Sequence, residues 1–332
     1  MQAIKNNFDS LRMLAALMVI YSHQHALMGL FEPAALPFMT WGGIGVLIFF
    51  SISGFLITQS WCNDPRALQY LYKRLLRLWP ALFLVTFLSV VVLGPIETNL
   101  PLYEYWQSSQ TWAYFRNLIF SIRHELPGVF SNSPYPKAVN GSLWTIPIEF
   151  KWYLIIMLLG LIGFFKRLVG LWVVMGILVY IVFWKHNGPH ESPRQWLAEL
   201  GIFFMAGCLI QRYQYYWRPR IFRVSLVLSV VAILFLVFEQ IYPAVIIILP
   251  MVSIIFGTAS WVGVNQAGRW GDPSYGLYIY AFPLQQFWVS QLGVGSGFAI
   301  LFLISLTSIV ILAYASWHLV EKHALALKRK LN

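Results

Sequence analysis

The chain contains 332 residues, of which 59% are hydrophobic and only 11% are charged. Soluble domains average about 45–50% apolar and about 25% charged residues, so this composition excludes an ordinary soluble protein and predicts one that lies in lipid. A net charge of +11 could indicate nucleic acid, but in a membrane chain Lys and Arg retained in cytoplasmic loops explain it. The two cysteines, Cys62 and Cys208, have no metal-ligand or redox spacing. We therefore expect membrane lipids as neighbours, and neither a bound metal nor a nucleic acid.

The first apolar segment follows a short stretch with one lysine and resembles a signal sequence. Arg12 interrupts it and no convincing small-residue cleavage site follows, so we predict an uncleaved membrane helix. Further apolar segments are separated by loops rich in Pro, Gly, Asn and charge. Together they predict an all-α polytopic membrane protein with ten transmembrane helices. The segments are 8–30, 41–61, 76–94, 140–163, 168–184, 196–211, 222–239, 243–262, 274–292 and 297–320.

The distribution of positive charge predicts the orientation of these helices. With the N-terminus in the cytoplasm, 16 of the 23 Lys and Arg residues fall on the cytoplasmic side and five in outer loops, while Arg12 and Lys151 lie inside helices. This asymmetry fits the positive-inside rule with both termini cytoplasmic. The long outer segment from Pro95 to Val139 is rich in aromatic residues. We expect it to hold an interfacial helix and a loop. These either shape a binding site for an acceptor molecule or form an aromatic belt at the lipid headgroups.

Several ionisable residues fall inside the predicted helices, where a charge costs several kcal/mol and therefore points to function. Arg12 and His23 are eleven residues apart, which at about 100° per residue is three turns plus about 20°, so both project from one face, ~16 Å apart along the axis. His25 falls about 220° from Arg12, so we expect it to be a packing residue. The whole set is Arg12, His23, His25, Glu149, Lys151, Glu199, His318 and Glu321.

His23 is the candidate for group-transfer chemistry. A histidine, with an ordinary pKa of about 6.5, can act as a general base or a nucleophile, and a buried carboxylate can orient it. Glu149 is the natural carboxylate, because it lies ~13 Å along its helix from the predicted outer surface, at a depth compatible with His23. The alternative is a His–Glu pair that only fastens two helices together.

Arg74 and Arg77 form a second candidate site in the first cytoplasmic loop. They are three residues apart, so they are adjacent on a helix and can grip a phosphate through forked donors. A phosphorylated cofactor could bind there. The alternative is a topology signal that contacts lipid headgroups.

Six short sequence motifs follow one another along nearly the whole chain. They are Phe8–Arg12 with Tyr21–His23, Gly45–Val46 with Phe49–Ile57, Arg74 with Arg77, Asn140–Glu149, Ser274–Tyr280 with Pro283, and Ser316–Trp317 with Glu321–Lys322. In this order they resemble the acyltransferase 3 family of membrane acyltransferases, which modify cell-surface carbohydrates. The resemblance implies transfer of an acyl group, usually acetyl, from cytoplasmic acyl-CoA to a sugar hydroxyl of a lipid-linked or exported glycan.

The resemblance also implies roles for particular residues. Arg74 and Arg77 would hold the CoA phosphates, Arg12 would attend the entry of the pantetheine arm, and the thioester would reach His23. Glu149 would orient His23 or help to bind the acceptor. The acceptor-binding candidates within the family motifs are Asn140, Ser142, Trp144 and Tyr275.

The family resemblance and the positive-inside pattern indicate a bacterial inner membrane protein. Because the chain ends at Asn332, we expect a single membrane domain over 1–332, without the extracytoplasmic hydrolase-like domain that some family members carry. Two alternatives stay open at this stage. One is a transporter or flippase for a glycan, and the other is a transferase of succinyl or a longer acyl group.

Overall fold

The structure is a computed structural model that describes residues 6–166, 168–183 and 193–328. Several of the predicted topology signals, namely Lys5, Arg167, Lys185, Arg329 and Lys330, lie outside the described residues. The ten principal helices are α1 (Phe8–Leu27), α2 (Trp41–Asn63), α3 (Ala67–Leu88), α4 (Thr145–Leu161), α5 (Leu168–Phe183), α6 (Pro193–Arg212), α7 (Ile221–Val237), α8 (Ile241–Thr258), α9 (Ser274–Leu292) and α10 (Phe298–Ser316).

Shorter elements complete the described chain. The short α-helical turns are Gly94–Glu97, Leu102–Gln107, Ser109–Ala113, Gln214–Trp217 and Lys322–Ala326. The 3-10 turns are Tyr114–Ile119, Gly141–Trp144, Phe164–Lys166, Arg218–Arg220, Val264–Trp270 and Val294–Ser296, and π-helical turns cover Ser89–Leu93 and Trp317–Glu321. Two short antiparallel strands, β1 (Ala34–Leu36) and β2 (Met39–Thr40), form a hairpin between α1 and α2.

The prediction of an all-α fold is confirmed, apart from this small hairpin, and each predicted apolar segment overlaps one principal helix. Within the described residues, six helical stretches are long and apolar enough to cross a membrane. They are Trp41–Asn63, Ala67–Glu97, Gly141–Leu161, Gln214–Val237, Ile241–Thr258 and Phe298–Ala326. The count of ten transmembrane helices and their orientation stay predictions.

Helix α3 differs from its predicted segment, 76–94, in beginning at Ala67. Its first turns contain Lys73 and Arg74, which lower the local hydropathy, so the apolar pattern alone detects only the later turns. The helix nevertheless continues through them, because long basic side chains cost little in a helix. The paired arginines therefore lie on a helix, as their spacing predicts.

The described residues form two compact units. Of the described residues, the first unit comprises 6–11, 46–71 and those between 148 and 266, and the second comprises 12–45, 72–147 and 267–328. In the first unit, a Cβ on Gly54 would lie 1.9 Å from the carbonyl oxygen of Phe204, and one on Gly207 would lie 2.2 Å from that of Ser51. Helices α2 and α6 thus cross with their backbones in contact, which small residues permit in membranes.

In the second unit, α9 and α10 pack as an antiparallel pair, with the Cβ position of Gly276 3.0 Å from Ala313 Cα. The outer segment contains both the predicted helix and loop. It forms an apolar cluster together with Val90, and Tyr105 within this cluster is fully buried and donates a hydrogen bond to the carbonyl oxygen of Val90 at 2.8 Å. Other aromatic side chains, such as Tyr103 and Trp112, are exposed.

Candidate active site along helix α9

Helix α9 is the element of the second unit that connects most of the predicted site residues. Its residues from Ser274 to Pro283 are buried on every side, which is typical of a helix in the interior of a membrane protein. Just before it, the Asp272 carboxylate accepts hydrogen bonds from the backbone N–H and the hydroxyl of Ser274. This local turn fixes the start of the helix and the direction of the carboxylate.

Two arginines that are far apart in sequence meet at Asp272. Arg77 Nη2 lies 2.8 Å and Arg12 Nη1 lies 3.7 Å from Asp272 Oδ2. Burial by itself would raise the pKa of the Asp272 carboxyl, but the charges of Arg77 and Arg12, together with the Ser274 hydrogen bonds, lower that pKa to about 2. The structure therefore brings together Arg12 and Arg77, both of which the sequence predicts at the donor site.

Further cations surround this ion pair. Burial and the positive charges of neighbouring side chains lower the pKa of Lys328 to about 7. The cations that act on Lys328 are Arg74, Arg77, Lys73 and Arg12. We call Arg12, Lys73, Arg74, Arg77 and Lys328 the basic cluster. Its excess of positive charge and its forked guanidinium donors suit an anion such as a phosphate.

Tyr275, a predicted acceptor-binding residue, lies beside the basic cluster. Its ring is 5.9 Å from the guanidinium carbon of Arg77, and its hydroxyl donates a hydrogen bond to the carbonyl oxygen of Leu78 at 3.1 Å. The hydroxyl is thus used inside the protein. This contact fastens the first turn of α9 to α3, and it places Tyr275 at the end of α9 where the predicted donor residues lie.

His23 lies farther along α9. Its ring packs edge-on against Phe282, with the centroids 5.4 Å apart, and its Nδ1 atom is buried without a hydrogen-bond partner among the described residues. The ring of His25 packs instead on Phe298 of α10, at 4.3 Å, and its Nδ1–H donates to the carbonyl oxygen of Tyr21 at 3.0 Å. The two histidines therefore face different helices, as the helical spacing predicts.

The segment that begins at Asn140 reaches α9 at the same level. Phe282, which packs against His23, also contacts Gly141, since a Cβ on Gly141 would be 2.5 Å from the Phe282 ring. Asn140 caps the turn Gly141–Trp144: its Oδ1 accepts from the N–H of Ser142 at 3.0 Å, and its Nδ2 donates to the carbonyl oxygen of Ile279 at 2.9 Å. Asn140 therefore already uses both polar side-chain atoms within the protein.

Ser142 differs from Asn140 in this respect. Its Oγ atom is buried and has no hydrogen-bond partner in the part of the chain that the structure describes. Its carbonyl oxygen accepts from Tyr278 Oη at 3.0 Å, and Tyr278 Oη also lies 2.8 Å from Thr145 Oγ1. Trp144, the remaining acceptor-binding candidate, is half-buried at the end of the same turn.

Glu149 belongs to the first unit. Its carboxylate accepts hydrogen bonds from Ser53 Oγ, at 3.1 Å, and from Tyr153 Oη. Both donors hold the carboxylate in a defined orientation. The predicted pairing of Glu149 with His23 joins residues of different units and stays a prediction.

Asp272, Lys328 and Tyr278 are site residues that the sequence did not single out. In the sequence, Asp272 lies in a Gly-Asp-Pro stretch that predicts a loop, and Lys328 lies among the basic residues that predict a cytoplasmic C-terminus. One signal was available for Asp272, because the chain has only 12 Asp and Glu residues and this one immediately precedes a predicted membrane helix. Its arginine partner, however, lies 195 residues away, a contact that no local pattern predicts.

Comparison with known proteins identifies the class of this site. The family model described as "Acyltransferase domain" matches residues 5–318. The chain belongs to the acyltransferase 3 family. It is 32% identical over 330 residues to the "O-acetyl transferase" of Shigella phage Sf6, covering 96% of each protein. It is 26% identical over 357 residues to "Nodulation protein 10" of Rhizobium leguminosarum bv. viciae, covering 98% of this chain and 95% of that protein.

No solved structure matches this acyltransferase, so its own geometry explains what the family motifs do. Gly54, in the second-helix motif, permits the close crossing of α2 and α6. Asn140, in the fourth motif, is a cap. Arg12 and Arg77 instead place positive charge at the start of α9, and His23 places a ring nitrogen beside it.

Proposed function

We propose that this acyltransferase moves an acyl group, most simply acetyl, from cytoplasmic acyl-CoA to a sugar hydroxyl of a cell-surface or lipid-linked glycan. We further propose that it crosses the bacterial inner membrane ten times, with both termini in the cytoplasm. The charge asymmetry of the loops supports this orientation. The name of the phage relative, an O-acetyl transferase, supports acetyl as the group that is transferred.

The basic cluster is the proposed binding site for the phosphates of CoA. Arg74 and Arg77 bind the phosphates, and Arg12, which shares Asp272 with Arg77, lies at the entry for the pantetheine arm. From the Tyr275 level of α9 to the Phe282 level is ~10 Å along the helix axis. The extended pantetheine arm spans that distance and brings the thioester to His23.

The single observation that carries this proposal is the position of His23. Its half-buried ring, with a buried Nδ1 atom that lacks a partner among the described residues, packs on Phe282 of α9, at the level where the capped turn that contains Ser142 also reaches this helix. A histidine in such a position can act at the thioester and at an acceptor hydroxyl. Glu149 is proposed to orient His23 or to help bind the acceptor.

Two reaction routes use these residues. In the first, His23 removes the proton of the sugar hydroxyl, the oxygen attacks the thioester carbonyl, the C–S bond breaks, and the proton passes to the departing CoA thiolate. In the second, an imidazole nitrogen attacks the thioester first and releases CoA. The acyl-histidine then transfers its acyl group to the sugar hydroxyl, whose proton returns to the imidazole.

The test uses the purified protein in lipid nanodiscs with radiolabelled acetyl-CoA, with rapid quenching in the absence of acceptor. Hydroxylamine-sensitive label on the wild type that is lost in His23→Ala supports the acyl-histidine, whereas an active but unlabelled enzyme supports direct transfer. A protein that binds acetyl-CoA but never releases CoA, with or without glycan, contradicts the proposed reaction and favours the transporter. Mass spectrometry of surface polysaccharide from cells with and without the gene then identifies the acyl group.

A further inference from the structure

A cavity lined by both polar and apolar residues lies at the opposite end of α9 from the basic cluster. It has a volume of about 340 Å³, which falls at the lower end of the range of about 300–1,000 Å³ that is typical of small-molecule sites. The last turn of α9 forms one side, and the outer segment forms the other. The polar residues that line it include Glu97, Asn99, Asn132, Ser133 and Ser290.

The cavity and His23 lie along the same face of α9. Val289 and Gly293, which line the cavity, are within about 20° of Phe282 around the helix, and Val289 is ~10 Å beyond Phe282 along the axis. Between these levels, Gln286 Nε2 donates hydrogen bonds to the carbonyl oxygens of Tyr135 and Ala138, at 2.7 and 3.0 Å. This side chain fixes the outer segment against α9.

Glu97 presents a carboxylate in a fixed orientation. Its Oε2 accepts from Ser290 Oγ and its Oε1 accepts from Gln291 Nε2, each at 2.7 Å. A carboxylate oxygen can accept two hydrogen bonds, so each oxygen keeps capacity for a ligand hydroxyl. Two neighbouring hydroxyl groups of a sugar would match this pair of acceptors.

The opposite wall is held rigidly. The N–H of Asn99 donates to the carbonyl oxygen of Gly128 at 3.1 Å, and Thr98 Oγ1 donates to that of Pro127 at 2.8 Å. Gly128 has φ +71°, and a Cβ there would lie 2.5 Å from Asn99 Oδ1. The backbone therefore fixes where Asn99 stands, and a preorganised wall costs less entropy on binding.

The chemistry of this cavity selects a neutral, hydroxyl-rich ligand. The described residues that line it include one carboxylate, amides and hydroxyls, and no Lys or Arg, so a phosphate would meet a negative charge without a partner. Resting on the proposed function, we infer that the cavity is a subsite for a sugar of the acceptor glycan. Because it begins ~10 Å beyond the level of His23, its sugar is a neighbour of the one that is acylated.

The experiment measures both binding and acyl transfer with purified protein. One probe is the oligosaccharide released by mild acid from the surface polysaccharide of cells in which the gene is deleted, so that its acceptor hydroxyl is free, and the other is the monosaccharide mixture from its full hydrolysis. Ligand-observed NMR without donor reports binding. We expect Glu97→Gln and Asn99→Ala each to weaken oligosaccharide binding and raise its KM about tenfold, the effect of losing a hydrogen bond to a charged or fixed group, with kcat unchanged.

A matched control is Glu104→Gln, because Glu104 is an exposed carboxylate of the same outer segment that does not line the cavity; it should leave both values unchanged. If both cavity variants weaken oligosaccharide binding, the subsite is supported, whether or not the wild-type protein transfers an acyl group. Absence of acyl transfer in the wild type would contradict only the proposed reaction. If both variants bind the oligosaccharide as tightly as the wild type, the subsite is overturned. It is also overturned if the variants lose affinity for the monosaccharides as much as for the oligosaccharide.

Discussion

The two ends of helix α9 differ in their electrical character. At its start, Asp272 and Tyr275 lie among the cations of the basic cluster, whereas at its end Glu97 meets Ser290 without a Lys or Arg among the described residues of the cavity. The two ends are roughly 22 Å apart along the axis. With the donor proposed at one end and a neutral glycan at the other, this single buried helix would connect sites for opposite kinds of ligand.

Neither end owes its character to α9 itself. The positive charges at the start come from α1, α3 and the C-terminal residues, and the carboxylate at the far end comes from Glu97 of the turn Gly94–Glu97. The residues of α9 contribute mainly aromatic rings and short polar groups. A helix that carries few charges can remain in the membrane interior, where each unpaired charge would be costly, while its neighbours supply the chemistry at both ends.

The largest expected effect comes from His23, which lies between the two ends. His23→Ala removes the proposed base or nucleophile, and such groups contribute about 100-fold to 10,000-fold to a rate. We expect acyl transfer to fall by at least about 100-fold, with donor binding at the basic cluster retained. The measurement is acetyl release by purified protein, together with the affinity for CoA.

The matched control is His25→Ala. The His25 ring packs on Phe298 of α10 rather than along α9, so we expect kcat to stay within about twofold, the effect of a packing change distant from the reacting atoms. If His23→Ala and His25→Ala lost acyl-transfer activity to the same extent, the side of α1 from which each histidine projects would not determine its role. Both variants should still be found in the membrane fraction.

The next largest effect concerns the ion pairs at the start of α9. Asp272→Asn leaves Arg12 and Arg77 without their shared carboxylate among other cations, and removal of one partner from such a buried arrangement costs about 3 kcal/mol. The midpoint of thermal unfolding in detergent should therefore fall. Because the pKa of Asp272 is lowered to about 2, its contribution is present above pH ~4 and is lost as the pH falls through ~2.

Asp64→Asn is the comparison for this variant, since Asp64 pairs with Arg66, whose side chain is 57% exposed. Exposed pairs contribute about 0–1 kcal/mol, so its unfolding midpoint should hardly move. An equal shift in the two variants would mean that the Asp272 ion pairs have no special weight. It would also remove the reason for treating the start of α9 as a rigid anion site.

Much of the fold, but less of the site, can be predicted from the sequence. Hydropathy locates all ten principal helices, because lipid requires long apolar stretches, and the 100° spacing separates His23 from His25. Local patterns do not predict contacts between distant segments. Examples are the ion pair of Arg77 with Asp272 and the contacts of Phe282 with His23 and with Gly141. The cavity beside Glu97 is likewise assembled from segments that are far apart in the chain, and its polar residues look like ordinary loop residues.

A smaller effect should come from Lys328 in the basic cluster. Burial and the charges of Arg74, Arg77, Lys73 and Arg12 lower its pKa to about 7, so above that pH the free side chain loses its proton. A bound phosphate favours the charged form, and binding of CoA then takes up a proton. The affinity for CoA should therefore fall as the pH rises from 7 to 9, by at most about tenfold per pH unit.

Calorimetric titration of CoA at several pH values measures this slope. The phosphate itself is already ionised in this range, because its second pKa is about 6. Lys328→Met should flatten the slope, whereas Lys322→Met, which removes an exposed lysine of the same terminal region, should retain it. If the Lys328 variant keeps the wild-type slope, Lys328 does not take part in donor binding.

The smallest effects separate the two polar residues of the capped turn. Asn140→Ala loses both hydrogen bonds of the cap, which should cost about 2 kcal/mol of stability and lower the unfolding midpoint. Ser142→Ala removes a hydroxyl that already lacks a partner, so stability should be unchanged or slightly higher. If that hydroxyl binds the acceptor, the acceptor KM should rise a few-fold.

Ser305→Ala is the control for Ser142, because Ser305 of α10 also has a buried Oγ without a partner among the described residues. Both serine variants should unfold at nearly the wild-type temperature, and only Ser142→Ala should change the acceptor KM. The same KM in all three proteins would mean that the turn only supports Phe282 and His23. The acceptor would then be recognised at the far end of α9 rather than at its middle, which would make the contrast between the two ends of the helix sharper still.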